Sequence, residues 1–245
     1  MDEKNYVDVH CHLIPCVDDG SESMKESMAA LKEEFDQNVR HVICTPHVNA
    51  GITLEEAENI KKTYDNLKIL VEQTSYGEFL ELHLGCEIMY SESIVERLNS
   101  DNIWTMAGSS YVLVEFLPSV TYDNLCSAVR QLTAAGFLPI LAHIERYQCL
   151  NKQISKIQKI QDMGAYCQVN ASSLHGGFFD QQCAFVRKIC KEGLVHFLGT
   201  DSHGMLKRKP AMVKGANWVE RNCTSSLAKR LLYENGLDLI NDIVI

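Results

Sequence analysis

Nine histidines and carboxylates stand just past short apolar runs of this chain, and their types are those that hold divalent metal ions. Val7-Asp8-Val9 leads to His10 and His12, with Asp18 a little further on. Val42-Ile43-Cys44 leads to His47, and Leu82-His83-Leu84 to Glu87. Val112-Leu113-Val114 leads to Glu115, Ile140-Leu141-Ala142 to His143, and Phe197-Leu198 to Asp201 and His203. His10 and His12 lie two apart on a strand, so they share a face at a rise of roughly 6.6 Å and both imidazoles reach one ion. Asp201 and His203 repeat the spacing. Glu87 and Glu115 close runs that are otherwise apolar, where a carboxylate is costly unless paired or metal-bound. Mixed imidazole and carboxylate donors suit zinc, manganese or iron without separating them. Together they read as a multinuclear metal centre.

Other residues near these runs carry two readings each. Asp18 and Asp19 precede Gly20 in a turn, and spacing does not say which is a ligand and which an ordinary turn residue. Asp8 shares the alternation of His10 and His12, so it either orients an imidazole from behind or is a hydrogen-bonded buried acid. Arg146, three residues past His143, suits either bidentate binding of phosphate oxygens or a surface salt bridge. Lys207, Arg208 and Lys209 follow His203 as either a second basic contact or a solvated loop. His41, His83, His175 and His196 read as structural or exposed, with a substrate contact as the lesser alternative for His175 in its loop.

The elements that must position these donors alternate from end to end. Ser23 and Glu26 open a helix with a capping-box pattern, and Met24, Met28, Leu31 and Phe35 give it one apolar face. Further helices are expected at about 54–72, 91–98, 122–135, 154–163 and 179–191, several closed by a glycine (Gly136, Gly164, Gly193). A strand over 165–169 brings the strand count to seven. From Pro210 the pattern reads as helices ending near Gly236, then a final segment over 237–245. Strand–helix alternation with donors at strand ends throughout the chain favours a seven-stranded βα barrel over an open doubly wound sheet, whose ligands gather at one switch point. The whole chain, 1–245, reads as a single domain.

Composition narrows the function classes. A net charge of −9 argues against general nucleic-acid binding, which needs a basic face. No apolar stretch is long enough to span a membrane, and the charged opening Met1-Asp2-Glu3-Lys4 offers no signal peptide. The ten cysteines, about 4% of the chain, contain no Cys-x-x-Cys pair and read as reduced thiols of a cytoplasmic protein.

Among phosphoester chemistries, the Cys-x5-Arg loop of cysteine phosphatases is absent, and so is the Asp-x-Asp of the aspartyl-phosphate route. A metal-bound hydroxide remains. The segments Asp8-x-His10-x-His12, Asp18-Asp19-Gly20, Thr45-Pro46-His47, Gly85-x-Glu87, Glu115, His143-Ile144-Glu145-Arg146-Tyr147, Gln168-Val169-Asn170-Ala171 and Thr200-Asp201-Ser202-His203 resemble the PHP superfamily, named for polymerase and histidinol phosphatase. Within it, the chain looks like the bacterial protein-tyrosine phosphatase branch linked to capsule and exopolysaccharide control.

That resemblance implies a distorted seven-stranded barrel and a metal-dependent phosphatase with two to three divalent ions, manganese foremost and zinc or iron as alternatives. It places His10, His12, Glu87 and Asp201 on the first ion, Glu87, Glu115 and His143 on the second, and Asp18, His47 and His203 on the third. Arg146 would hold phosphate, with Arg208 near a second basic position. The substrate implied is a phosphotyrosine protein, typically the tyrosine-rich tail of a capsule-regulating kinase. Histidinol phosphate or a sugar phosphate is the competing substrate class, and a non-enzymatic metal-binding regulator a further one. The loops over 48–53, 118–122, 172–178 and 204–210 are short, which predicts a shallow, open site. Phe116, Tyr147, Phe178 and Phe179 are available to flank an aromatic leaving group.

Overall fold

Short β-branched runs alternating with amphipathic helices build an all-parallel, curled sheet wrapped by helices, in a computed structural model that describes residues 5–99, 103–177 and 180–245. Nine strand segments occur among the described residues: β1 (Tyr6–Cys11), β2 (Val39–Cys44), β3 (His47–Val48), β4 (Glu81–Leu84), β5 (Glu87–Met89), β6 (Tyr111–Glu115), β7 (Leu138–Leu141), β8 (Tyr166–Asn170) and β9 (Phe197–Gly199). They pair in the orders β1-β2-β4 and β3-β5-β6-β7-β8-β9. Pro46 and Gly85 interrupt the ladder between β2 and β3 and between β4 and β5. It is carried across by Gly85 N–H to Cys44 O (2.9 Å) and Glu87 N–H to Pro46 O (3.0 Å). At the far end β1 meets the segment after β9, with Asp201 N–H to His10 O at 2.7 Å and His12 N–H to Ser202 O at 2.8 Å.

Period-two alternation divides the core. Val7, Val9, Ile43, Tyr111, Leu113, Ile140, Tyr166 and Phe197 fill the interior of the curl. Val42, Cys44, Val112, Val114, Leu141, Cys167 and Leu198 face the helices in a separate layer. Continuing along the inner face, each strand ends in a polar residue at the same rim.

The helices are α1 (Met24–Asp36), α2 (Leu54–Glu72), α3 (Ile94–Asn99), α4 (Tyr122–Ala134), α5 (Ile154–Gln161), α6 (Gln181–Lys191), α7 (Met212–Asn222), α8 (Ser225–Lys229) and α9 (Asn235–Ile240). The expected box at Ser23 is half formed. Ser23 Oγ accepts from Glu26 N–H, while Glu26 turns its carboxylate to the Glu22, Met205 and Leu206 amides. A reciprocal box forms instead at Thr53 and Glu56. Gly136, Gly164 and Gly193 adopt the left-handed conformation expected past a helix end. Gly236 departs from expectation, for it sits inside α9 rather than ending a helix. A Cβ there would lie 2.6 Å from Val7 Cβ, so close approach to β1 explains the glycine. Among the described residues, no helix is long and apolar enough to cross a membrane. Cys11, Cys44 and Cys86 are buried thiols, and all ten cysteines are free. The expectations at Met1–Lys4, Phe178 and Phe179 lie outside the described residues.

Candidate metal centre

The inner rim draws its donors around one carboxylate. Glu87, buried at the start of β5, has Oε2 within 3.2 Å of His10 Nε2 and of His12 Nε2, and within 3.1 Å of His47 Nδ1. Its Oε1 lies 2.7 Å from His143 Nε2. Glu115, ending β6, reaches His47 Nδ1 at 3.2 Å and His143 Nε2 at 3.8 Å. On the other side Asp201 Oδ1 is 3.6 Å from both His12 Nε2 and His203 Nδ1. Four overlapping groups result: His10, Glu87 and His143; His47, Glu87 and Glu115; His10, His12 and Asp201; and His12, Asp19, His47 and His203. Donor atoms within each group lie within 4.8 Å of one another. His10 Nε2 and His12 Nε2 face each other at 3.2 Å, and the buried Glu87 Oε2 has no well-aimed donor despite three imidazole nitrogens around it. Lone pairs that converge without satisfying one another fit cations, so the residues present fit divalent metal.

The backbone is bent to aim these side chains. His143 and Asp201 both carry positive φ (32° and 51°), a conformation that costs a non-glycine residue energy and clusters at functional sites. Gly199 lets β9 pass His10, whose Cβ would lie 2.5 Å from an added Cβ. A register shift between Asp8 and Cys11 inserts an extra residue into β1. It turns Asp8 away from the face of His10 and His12, correcting the expectation that the three share it. Asp8 accepts from Thr200 N–H and Oγ1–H at 2.8 and 2.6 Å and from the backbone N–H of His10 at 3.1 Å. Behind it sits the buried Glu34 of α1, whose carboxyl is pushed well up by burial and by the charge of Asp8. Gln168 is what stands behind the imidazoles: its Oε1 is 3.3 Å from His10 Nδ1 and accepts His143 N–H at 2.6 Å. Asn170 Nδ2 donates to Asp201 Oδ2 at 2.8 Å. Polar residues alternating on an apolar strand (Gln168, Asn170) were the available signal for both.

Charge is concentrated here. Burial works to raise Glu87, yet the charge of His10, the nearby His12 imidazole and the hydrogen bond from His143 hold it well below the carboxylate range. Burial likewise opposes ionisation of Asp201, but His10, Arg146 and Arg208 bring it to about 2. His12 is pulled down by burial and more strongly up by Asp18 and Glu87, to about 10. A proton on His12 thus offsets part of the carboxylate charge, and a bound cation would displace it.

Arg146 and Arg208 both place a guanidinium on Asp201 Oδ2, and both remain partly exposed at the rim. Eight of the nine expected donors belong to the four groups; Asp18 does not. Its Oδ2 accepts from His12 Nδ1 (2.8 Å) and His47 N–H (3.0 Å), and Oδ1 from Gly20 N–H (2.9 Å). Asp19 instead turns outward to the third group, 3.5 Å from His47 Nε2 and 3.4 Å from His203 Nε2. Two adjacent carboxylates in a turn gave no periodicity to tell them apart. Lys207 pairs with Glu22 on the surface, and His175 is exposed. Tyr147 is fully buried and accepts Phe116 N–H, and Phe116 stacks on Tyr90, so neither ring stands free beside the donors.

Fold and donor set together define an α/β protein with a cluster of histidines and carboxylates that fits divalent metal and two arginines at its rim, the outfit of a metal-dependent hydrolase. Comparison with known proteins agrees. Residues 6–241 match the family described as "Capsular polysaccharide synthesis, CpsB/CapC", and the chain belongs to that family. It is 29% identical over 244 residues to the tyrosine-protein phosphatase CpsB of Streptococcus pneumoniae, covering 98% of this chain and all of that one. The fold matches a structure from work on YwqE of Bacillus subtilis and CpsB of S. pneumoniae, described as "unique metal-dependent tyrosine phosphatases". The TM-score is 0.82 at 25% identity, over 98% of this chain and 96% of the other. A histidinol phosphate phosphatase from Lactococcus lactis shares the fold alone, with TM-score 0.52 and 13% identity over 90% of this chain and 94% of that one.

Proposed function

We propose that this chain is a metal-dependent tyrosine-protein phosphatase of capsular polysaccharide synthesis. The observation that carries this is the cage around Glu87 with two arginines at its open side, in a chain similar from end to end to tyrosine-protein phosphatases. The single domain 1–245 is a seven-stranded barrel if β2 with β3, and β4 with β5, each count as one interrupted strand and the β1–Ser202 bonds as its closure. His10, His12, Glu87 and Asp201 hold one ion, Glu87, Glu115 and His143 a second, and Asp19, His47 and His203 a third, with Asp18 orienting His12 from behind. Manganese is the metal and the cytoplasm the compartment.

Bound there, divalent ions supply a hydroxide at neutral pH and neutralise charge on the transferring phosphoryl group. Arg146 and Arg208 turn from Asp201 to the phosphate oxygens and orient them in line for attack. Gln168 and Asn170 keep His10, His143 and Asp201 in place while the arginines move. A tyrosine leaves as phenolate with a pKa near 10, which needs little protonation. Beside Glu115 lies a recess of about 670 Å³ lined by Tyr90, Phe116, Leu117 and Val120. It suits the residues flanking a phosphotyrosine on a protein, such as the tail of a capsule-regulating kinase.

The test is kcat/KM on a phosphotyrosine peptide, a phosphoserine peptide and histidinol phosphate side by side. The phosphotyrosine peptide should lead. A higher value for histidinol phosphate would move the assignment to a small-molecule phosphatase.

A further inference from the structure

At the opposite end of the strands, a second group of donors meets. Pairing of β2 with β4 sets His41 opposite Glu81 and Ile43 opposite His83, so His41, Glu81 and His83 share the inner face at the entry end of the sheet. His41 lies six residues before His47, roughly 20 Å along a strand, and Ile43 and Met106 pack in the interior beyond it. His41 Nδ1 is 3.3 Å from Glu81 Oε2 and 3.5 Å from His83 Nε2, and His83 Nε2 is 3.8 Å from Glu81 Oε1.

Two of these contacts are too long for good hydrogen bonds. The two contacts that share His41 Nδ1 are close to the edges of a tetrahedron around an ion held at 2.0–2.1 Å, about 3.3–3.4 Å, and the longer one reaches the other Glu81 oxygen. The imidazole side chains are 20% and 12% exposed and the Glu81 side chain 58%, so two donors are held by packing and one closes from solvent. Tyr233 lies against His41 at 6.5 Å between ring centroids. Burial disfavours a proton on either imidazole. A recess of about 380 Å³ opens beside them, rimmed by Glu72, Glu78 and Glu81 against Arg40 and Lys68, with room for water at a fourth position.

We propose that His41, Glu81 and His83 form a second, non-catalytic site for one zinc-class divalent ion that ties β2 to β4. Two imidazoles, one carboxylate and an open corner are borderline donors that favour zinc over the harder magnesium or calcium. The ion acts as a clip at the closed end of the sheet, apart from the phosphatase chemistry.

The test uses the full-length protein, saturated with zinc and freed of loosely bound ion, with zinc counted per chain in the wild type, His83→Ala and Glu81→Gln. Both variants should carry one zinc fewer, and both should keep manganese-supported hydrolysis of a phosphotyrosine peptide. In Glu87→Ala, whose catalytic cage is broken, adding His83→Ala should still lower the count by one zinc. A zinc count in His83→Ala equal to the wild type overturns the site. If that variant does not fold, an unchanged count in Glu81→Gln, altered at an exposed side chain, overturns it equally. Because activity is read separately, loss of the phosphatase reading leaves the zinc count a valid test.

Discussion

Asp18 and Asp19 are neighbours in sequence and turn to different partners. One holds His12 from behind through Nδ1, and the other turns to His47 and His203. Replacing a donor removes an ion, whereas replacing the group that orients a donor weakens affinity by about 10–100-fold. Asp19→Ala should therefore lose about one ion per chain at saturation. Asp18→Asn should keep the full count and bind more weakly. Metal titration of both variants checks this, and the reverse pattern would restore Asp18 as the ligand. Arg146→Ala should spare the ions and cut kcat/KM roughly 10–150-fold, the worth of a charge-assisted hydrogen bond to phosphate. Unchanged kinetics would leave Arg146 as a counter-charge for Asp201 only. At this scale the strand-end donors were legible because each follows an apolar run on the inner face. Asp8 was misplaced because a bulge reverses alternation without any mark in the sequence. His41 and His83, 42 residues apart, meet only through the register of two parallel strands, which no local pattern encodes.

Helices were the most legible elements, since caps and apolar spacing are local. α2 runs over Leu54–Glu72 as expected, its first turn fixed by Thr53 and Glu56. Gly236 shows where local reasoning stops, because its reason lies in β1. Helix propensity alone would make Gly236→Ala stabilising by ~1 kcal/mol. With Val7 Cβ and Cγ1 both 2.6 Å from the new Cβ, overpacking should instead cost ~1–3 kcal/mol. Denaturant melts decide the sign, and a more stable variant would refute the packing explanation. The β8–β9 pair offers a pH readout. His196 Nδ1 accepts Cys167 N–H at 3.0 Å, and burial takes this imidazole down to about 4. A histidine whose folded pKa is depressed binds more protons unfolded, so stability is present above its unfolded value near 6.5 and falls as pH drops toward 4. Wild type should lose ~2–3 kcal/mol more than His196→Gln between pH 7 and 4.5. Equal losses would mean that His196 is not held neutral.

Over the whole molecule, the chain closes its inner face with apolar layers and leaves one rim polar, so nearly all chemistry gathers at a single edge. Strand–helix alternation made the parallel α/β architecture legible. The breaks at Pro46 and Gly85, which divide two strands, depend on pairing partners far away in sequence. The net charge of −9 concentrates carboxylates that divalent ions offset, which links metal loading to stability as well as turnover. Metal content and kcat/KM on a phosphotyrosine peptide, measured on the same samples as purified, after chelation and after manganese is restored, test the central claim most directly. Activity should fall by roughly a hundredfold or more on chelation and return in step with about two to three ions per chain. Full turnover by a chain holding less than about one ion would contradict it.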